Sequence, residues 1–184
     1  MLPIMLDVSS GPNLLVGNGA AALRRLKLLE ESGAGDIRVY VSGDALPELL
    51  KAAGKRVRPG LPDGATIRAA KVLFVAESAQ GEELAATARR WGVLVNVEDV
   101  KALCDFYTPS VIRRGDLTIA VSTEGVSPGL ARRIGAKIGG IFGPEWAVRV
   151  KEVGDLRRRL KAEGCGGKVV ARRTDEWIDR NYWL

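Results

Sequence analysis

Three stretches of this 184-residue chain carry residue types at spacings that can do chemistry. The first is Gly17-Asn18-Gly19-Ala20-Ala21-Ala22, a Gly-x-Gly-x-x-Ala run. It follows a short apolar run at residues 13–16 and opens a helical pattern. In that context it is the dinucleotide fingerprint. The first glycine permits a tight turn, the second lets backbone approach a pyrophosphate, and a small third residue lets helix and strand pack closely. The helix N-terminus adds amide donors and partial positive charge. The competing reading is a tight turn with no ligand. An acid usually ends the second strand of such a unit and holds a ribose. Here that place falls near Tyr40, Val41 and Ser42, with Asp44 slightly beyond. Ser42 and backbone groups are the expected ribose contacts. No arginine occupies the place to hold a 2′-phosphate, so NAD is expected over NADP.

The second stretch is Asn96-Val97-Glu98-Asp99, at the end of an apolar run. Ligands sit at the carboxyl ends of parallel strands. A carboxylate there can act as a general base or as a hard ligand for a divalent metal. The competing reading is that Asp99 caps a following short helix. Cys104, close behind, reads as a small core residue rather than a nucleophile. The third stretch is Ser122-Thr123-Glu124-Gly125-Val126-Ser127-Pro128, a hydroxyl-rich loop before a helix. Its amides and hydroxyls can bind carboxylates. On local pattern alone, simple N-capping by Ser127, contributing about 1 kcal/mol, is the leading reading.

These groups need elements to hold them. A strand at 13–16 leads to a helix over 20–31, with Leu23, Leu26 and Leu29 at turn spacing. A strand at 37–41, a short helix at 46–53 and a strand at 71–76 follow. A helix over 82–91 places Leu84, Ala88 and Trp91 on one face, and 93–97 is a fourth strand. This alternation predicts an α/β fold with a parallel sheet covered on both faces. The pattern changes after about residue 112. A half-buried strand spans 117–122, and Ser127-Pro128 starts a helix. Leu130, Ile134, Ile138 and Ile141 give that helix one apolar face, and Gly143-Pro144 ends it. Val153, Leu156 and Leu160 mark another helix with a basic back. Residues 164–167 read as a loop, and 174–184 as a final helix anchored by Trp177 and Trp183.

Composition narrows the chemistry. The chain has no histidine, which excludes His triads and His-ligated zinc. Two cysteines, Cys104 and Cys165, build neither a metal framework nor a disulfide scaffold, so a reducing cytoplasmic setting is expected. No run approaches the roughly 18 uncharged apolar residues of a membrane span. Residues 1–7 lack the basic head and long apolar core of a signal peptide. The net charge is +6, and it is uneven. Residues 1–112 hold 13 basic and 13 acidic side chains, whereas 113–184 hold 15 and 9. The excess either lies on solvated helix faces or attracts an anionic partner. No zinc-finger spacing or aromatic RNA-binding pattern is present, so nucleic acid is not the expected partner.

Further segments occur alongside these: Leu2-Pro3-Ile4-Met5-Leu6-Asp7, Cys104-Asp105-Phe106, Pro109, Arg113-Arg114-Gly115, and Ser127-Pro128-Gly129-Leu130-Ala131-Arg132. Taken in order, the set resembles the precorrin-2 dehydrogenase / sirohydrochlorin ferrochelatase family, the N-terminal module of siroheme synthase. The resemblance covers residues 1–145 well and the remainder loosely. It implies three parts: an NAD-binding Rossmann domain (1–112), a strand–helix dimerisation segment (113–145) and a small C-terminal helical domain (146–184). The implied activity is NAD-dependent oxidation of precorrin-2 to sirohydrochlorin by a cytoplasmic homodimer, with Fe²⁺ insertion into sirohydrochlorin in many members. A module on the same fold that only senses NAD or tetrapyrrole is the alternative.

The resemblance also implies roles for residues. Asp99 is the catalytic proton acceptor and, in chelation, a transient metal contact. Gly17, Asn18, Gly19, Ala20 and Ala22 hold the dinucleotide turn, with Ser42 and Ala76 beside them. Asn96 and Val97 lie on the nicotinamide side. Thr123, Gly125 and Ser127 line the tetrapyrrole pocket. Two departures stand out. The family usually has Ala-Thr and then acidic residues where this chain has Ala76-Glu77-Ser78-Ala79, and often three glycines where it has Gly17-Asn18-Gly19. Asn18 is tolerable there because asparagine accepts unusual backbone angles better than most residues.

Overall fold

A computed structural model describes residues 2–184; Met1, part of the N-terminal stretch read above, lies outside them. The chain divides into two compact units, Met1–Tyr107 and Thr108–Leu184.

The first unit alternates strand and helix: β1 (Pro12–Val16), α1 (Ala20–Glu31), β2 (Asp36–Val41), α2 (Pro47–Ala53), β3 (Val57–Pro59), α3 (Gly64–Arg68), β4 (Val72–Val75), α4 (Gly81–Arg90) and β5 (Leu94–Val97). The sheet order is β3-β2-β1-β4-β5, and every pairing is parallel. Alternation along the strands builds two cores. Leu15, Val39, Val72 and Phe74 pack with Leu26 and Leu29 of α1 and Leu49 of α2. Leu14, Val16, Leu73, Val75 and Val95 pack with Ile67 of α3 and Leu84 and Ala88 of α4. Full burial of each such side chain contributes roughly 1.5–3 kcal/mol. Strand order reverses between β1 and β4, so their carboxyl ends diverge into a crevice.

Three elements escaped the sequence reading. β3 is three residues long and ends in Pro59, and α3 is a five-residue helix. Asp63 starts α3: its carboxylate accepts the Thr66 N–H at 2.7 Å, which holds its pKa below the usual value. The third is β6 (Ser110–Arg114), which forms an antiparallel hairpin with β7 (Leu117–Val121) in the second unit. Trp91 also departs from expectation. It is 45% exposed at the end of α4, with the Arg68 guanidinium over its ring at 4.7 Å. Leu84 and Ala88 are buried as expected.

The second unit continues with α5 (Pro128–Ile141), α6 (Trp146–Ala162) and α7 (Gly167–Arg180). Ser127 caps α5, its Oγ accepting the Leu130 N–H at 3.3 Å, and Pro128 occupies the first turn. The buried residues of α5 are Ala131 and Gly135. A Cβ on Gly135 would lie 2.7 Å from Ser110 Oγ, so the helix meets the hairpin through its small residues. The bulky apolar face read from the sequence stays open within the chain: Leu130 is 51% and Ile141 66% exposed. α7 starts at Gly167, earlier than expected, and ends before Trp183.

Candidate functional site

The turn after β1 is set by glycine. Gly17 is buried at φ +155, and its N–H donates to the Tyr40 carbonyl at 3.0 Å. A Cβ there would lie 2.1 Å from the Ala76 carbonyl oxygen and 3.0 Å from the Ala22 Cβ. The close approach of α1 to β4 therefore depends on that missing side chain and on the small Ala22. Asn18 holds the turn in a way its backbone did not suggest. It is not among the positive-φ residues. Instead, its Oδ1 accepts the Ser42 N–H at 3.0 Å and its amide nitrogen donates to the Ser42 carbonyl. Its own carbonyl accepts the Leu46 N–H at 2.7 Å. The side chain thus locks the β2–α2 loop onto the turn. This occupies both backbone groups of Ser42.

α1 begins with Gly19 at the N-cap, no side-chain cap and no acid in its first turn. Its leading amides are therefore open to an outside acceptor, and the turn fits a dinucleotide pyrophosphate. Ala20, the first helical residue, is exposed. One feature escaped sequence reasoning: the carboxylate of Glu77, the residue after β4. Glu77 sits at φ +56, and its Oε2 lies 2.2 Å from where a Gly19 Cβ would be. A carboxylate thus lies beside the turn without capping the helix. Removing its charge should tighten dinucleotide binding. Glu77→Gln is expected to lower the Kd for NAD⁺ about 2–5-fold at low ionic strength, the range that a charge at a helix end supports. Calorimetric titration at low and high salt checks this, and the gain should shrink with salt.

β5 ends beside β4, and its exit is pinned by the Glu98 N–H donating to the Val75 carbonyl at 2.9 Å. Asp99 then turns the chain at φ +63 and is exposed. It does not cap the 3-10 turn Lys101–Leu103, whose cap position is Val100. Its carboxylate takes no protein partner among the described residues. β4 alone separates β1 from β5, so the glycine turn and Asp99 share one sheet edge. Two strand spacings set their separation on the order of 10 Å.

Asn96 has a structural bond. Its Nδ2 donates to the Phe106 carbonyl at 2.9 Å, tying down the segment after β5. Its Oδ1 is buried without a donor. Two residues on, Glu98 pairs with Arg24 of α1 at 3.0 Å, while its other oxygen is likewise buried and unpartnered. Asn96, in register with Phe74 of the α1-side core, and Glu98, just past the end of β5 and paired with Arg24, lie on the α1 side of the sheet. Val97 is buried, and its carbonyl accepts the Cys104 thiol at 3.0 Å, which makes Cys104 structural. Ala76 is buried, with its N–H bonded to the Val16 carbonyl at 2.8 Å.

The expected tetrapyrrole residues lie in the second unit. Glu124 (φ +51) and Gly125 (φ +79) make a left-handed step between Thr123 and Ser127. Thr123 Oγ1 accepts the Ser127 N–H at 3.0 Å, and Ser127 Oγ caps α5. Each hydroxyl accepts within the loop and keeps its hydrogen for an outside acceptor. Among the described residues, no group of three or more acidic or cysteine side chains is arranged to hold a metal.

Two family models match the chain. One, described as "Putative NAD(P)-binding", matches residues 4–110. The other, described as "Sirohaem biosynthesis protein central", matches residues 114–139. The chain belongs to the NAD(P)-binding family of sirohaem biosynthesis. The siroheme synthase of Methylococcus capsulatus is 34% identical over 163 residues, covering 87% of this chain and 34% of that protein. The siroheme synthase of Nitrosococcus oceani is 35% identical over 178 residues, covering 94% of this chain and 37% of that protein. The chain thus spans about a third of the length of the curated relatives it matches. Among solved structures, "SirC, precorrin-2 dehydrogenase" superposes with a TM-score of 0.76 at 22% identity, covering all of this chain and 92% of that one. That likeness bears on the fold alone. The glycine turn, Asn18 and Glu77 all lie within the span matched by the NAD(P)-binding model.

Proposed function

We propose that the chain oxidises precorrin-2 to sirohydrochlorin with NAD⁺ as electron acceptor. One observation carries the reading: an uncapped, acid-free helix N-terminus and an unpartnered carboxylate stand at the same edge of one parallel sheet. The likeness to siroheme synthases over most of the chain supports the substrate.

In this mechanism, the turn at Gly17-Asn18-Gly19 and the first amides of α1 bind the pyrophosphate. Ser42 Oγ contacts the ribose. When bound, the nicotinamide would supply a hydride acceptor, taking two electrons together with one proton. Asp99 takes the second proton that the substrate releases, its exposed carboxylate turned out of the sheet by the left-handed step. The buried oxygens of Asn96 and Glu98 accept hydrogen bonds that orient the cofactor on the α1 side. Thr123, the Gly125 backbone and Ser127 donate to carboxylates of the macrocycle, which suits the basic second half of the chain. Where Fe²⁺ is also a substrate, Asp99 accepts the pyrrole protons that the metal displaces. NAD is preferred to NADP. Arg58, brought beside Tyr40 by the pairing of β3 with β2, spends Nη1 on the Lys55 and Val57 carbonyls.

The deciding assay mixes protein, precorrin-2 and NAD⁺ without oxygen and follows NADH and the chromophore. Turnover supports the dehydrogenase. Binding of both ligands without turnover supports the sensing module instead. Adding Fe²⁺ to sirohydrochlorin tests chelation separately. The reading also includes a cytoplasmic homodimer. The open apolar face of α5 supports a second copy as its cover, and among the described residues no helix is long and apolar enough to cross a membrane. Ile134, 40% exposed, is the test position. Ile134→Asp should leave helical content intact and shift the mass by sedimentation equilibrium from twice the 19.7 kDa chain mass to one. A variant that remains dimeric would place the interface elsewhere.

A further inference from the structure

Antiparallel α6 and α7 enclose a groove within the second unit. Leu156, Arg159, Leu160 and Glu163 line one side; Arg173, Glu176, Trp177 and Arg180 line the other. Both sets have the spacing i, i+3, i+4, i+7, so each is one continuous helix ridge. The cavity between them measures about 370 Å³.

Its lining carries more donors than acceptors. The indole Nε1 of Trp177 is buried and has no hydrogen-bond partner. An indole nitrogen can only donate. Arg159, Arg173 and Arg180 take no ion pair or hydrogen bond among the described residues. Elsewhere in these helices arginines do find partners: Arg158 pairs with Asp155, and Arg172 with Glu176 at 3.7 Å. Three guanidinium groups against the carboxylates of Glu163 and Glu176 leave a lining with one net positive charge. Leu156, Leu160 and the Trp177 ring supply an apolar floor.

We propose that this groove binds a carboxylate carried on a short aliphatic arm. Guanidinium forks match the two oxygens of a carboxylate. The indole N–H gives one further donor, and the leucines take the methylene stem. The single excess charge favours a monoanionic carboxylate over a doubly charged phosphate, which the two glutamates would repel. The arm can belong to a free small acid or to a larger polycarboxylate such as the macrocycle proposed above. The proposal does not depend on the dehydrogenase reading, because a small acid suffices to test it.

The chain has four tryptophans, so ¹⁵N-indole NMR of the full-length protein gives a direct readout. Trp177→Phe identifies the resonance by its loss. Propionate and succinate at constant ionic strength should move the Trp177 indole N–H downfield in a saturable manner. Arg173→Gln combined with Arg180→Gln should weaken that binding at least tenfold, with unchanged far-UV circular dichroism. Saturation by an octacarboxylate porphyrin alone would assign the arm to the macrocycle, whereas saturation by the small acids would assign a free metabolite; either supports a carboxylate site. Tighter binding of inorganic phosphate than of propionate would overturn the choice of ligand. Absence of any saturable shift with all of these probes, or equal shifts with chloride, would overturn the site itself. Loss of precorrin-2 oxidation in a protein that still shows the indole shift would count against the dehydrogenase reading and leave this one standing.

Discussion

Asp99→Asn is expected to slow precorrin-2 oxidation by about 10²–10⁴-fold, the usual contribution of a positioned general base, while the Kd for NAD⁺ stays within a few-fold. The replacement matters. Asp99 lies at φ +63, where alanine would add backbone strain and mix a folding effect with a chemical one. Asparagine accepts this region best among side-chain-bearing residues and keeps the size of the group. It removes only the capacity to take a proton. Asp99→Gly gives the complementary control, relaxing the backbone while deleting the carboxylate. Equal loss in both variants, read from NADH absorbance under saturating cofactor, isolates the carboxylate as the cause. The exposed position and lack of a partner mean that neither change removes a packing contact or an ion pair. Wild-type turnover in the asparagine variant would move the proton acceptor elsewhere, and Glu98 is the nearest candidate. Its Oε2 is buried, however, and its Oε1 is held by Arg24 at 3.0 Å.

The same turn shows what sequence could and could not convey. The first strand, the glycine turn and α1 were legible because a buried parallel strand, two glycines and a 3.6-residue period all point one way. Ser127 and Pro128 announced α5 just as directly. The elements that were missed are those held by neighbours rather than by their own residues. β3 has three residues and gains its hydrogen bonds from β2, and α3 is nucleated by a single aspartate cap. β6, Ser-Val-Ile-Arg-Arg, has a charged half that hides its pairing with β7. α7 starts in a glycine pair that local propensity reads as loop. At the site, the residue types were legible and several of their partners were not. Asn18 read as tolerable on backbone grounds; its worth lies in a side-chain clamp onto Ser42, 24 residues away. Glu77 read as a departure from a pattern. Its contact with Gly19 exists only because β4 lies next to β1 in the sheet.

Gly17→Ala and Gly19→Ala should separate the two jobs of the fingerprint. A methyl on Gly17 would lie 2.1 Å from the Ala76 carbonyl, at a backbone φ of +155. Ala76 cannot yield cheaply, because its N–H is bonded to the Val16 carbonyl at 2.8 Å within the sheet. Overpacking and backbone strain each cost about 1–3 kcal/mol. Gly17→Ala should therefore lose about 2–4 kcal/mol of stability, lowering Tm on the order of 10 °C for a chain of this length. Gly19 differs. Its φ is −117, and the added methyl meets only the end of the Glu77 side chain, an exposed group that can rotate away. Gly19→Ala should lose only about 1 kcal/mol, the disadvantage of alanine against glycine at a helix N-cap, and unfold within about 4 °C of the wild type. Yet the methyl projects where a pyrophosphate must approach the first amides of α1, so the Kd for NAD⁺ should rise at least tenfold. Calorimetric unfolding and NAD⁺ titration on the same two variants read both quantities. Comparable destabilisation in both variants would mean that Gly19 also serves packing. Unchanged NAD⁺ affinity in a folded Gly19→Ala protein would mean that the phosphates do not lie on this turn. In that case the carboxylate at residue 99, two strands away along the same edge, would lose the partner that gives it a reaction to assist.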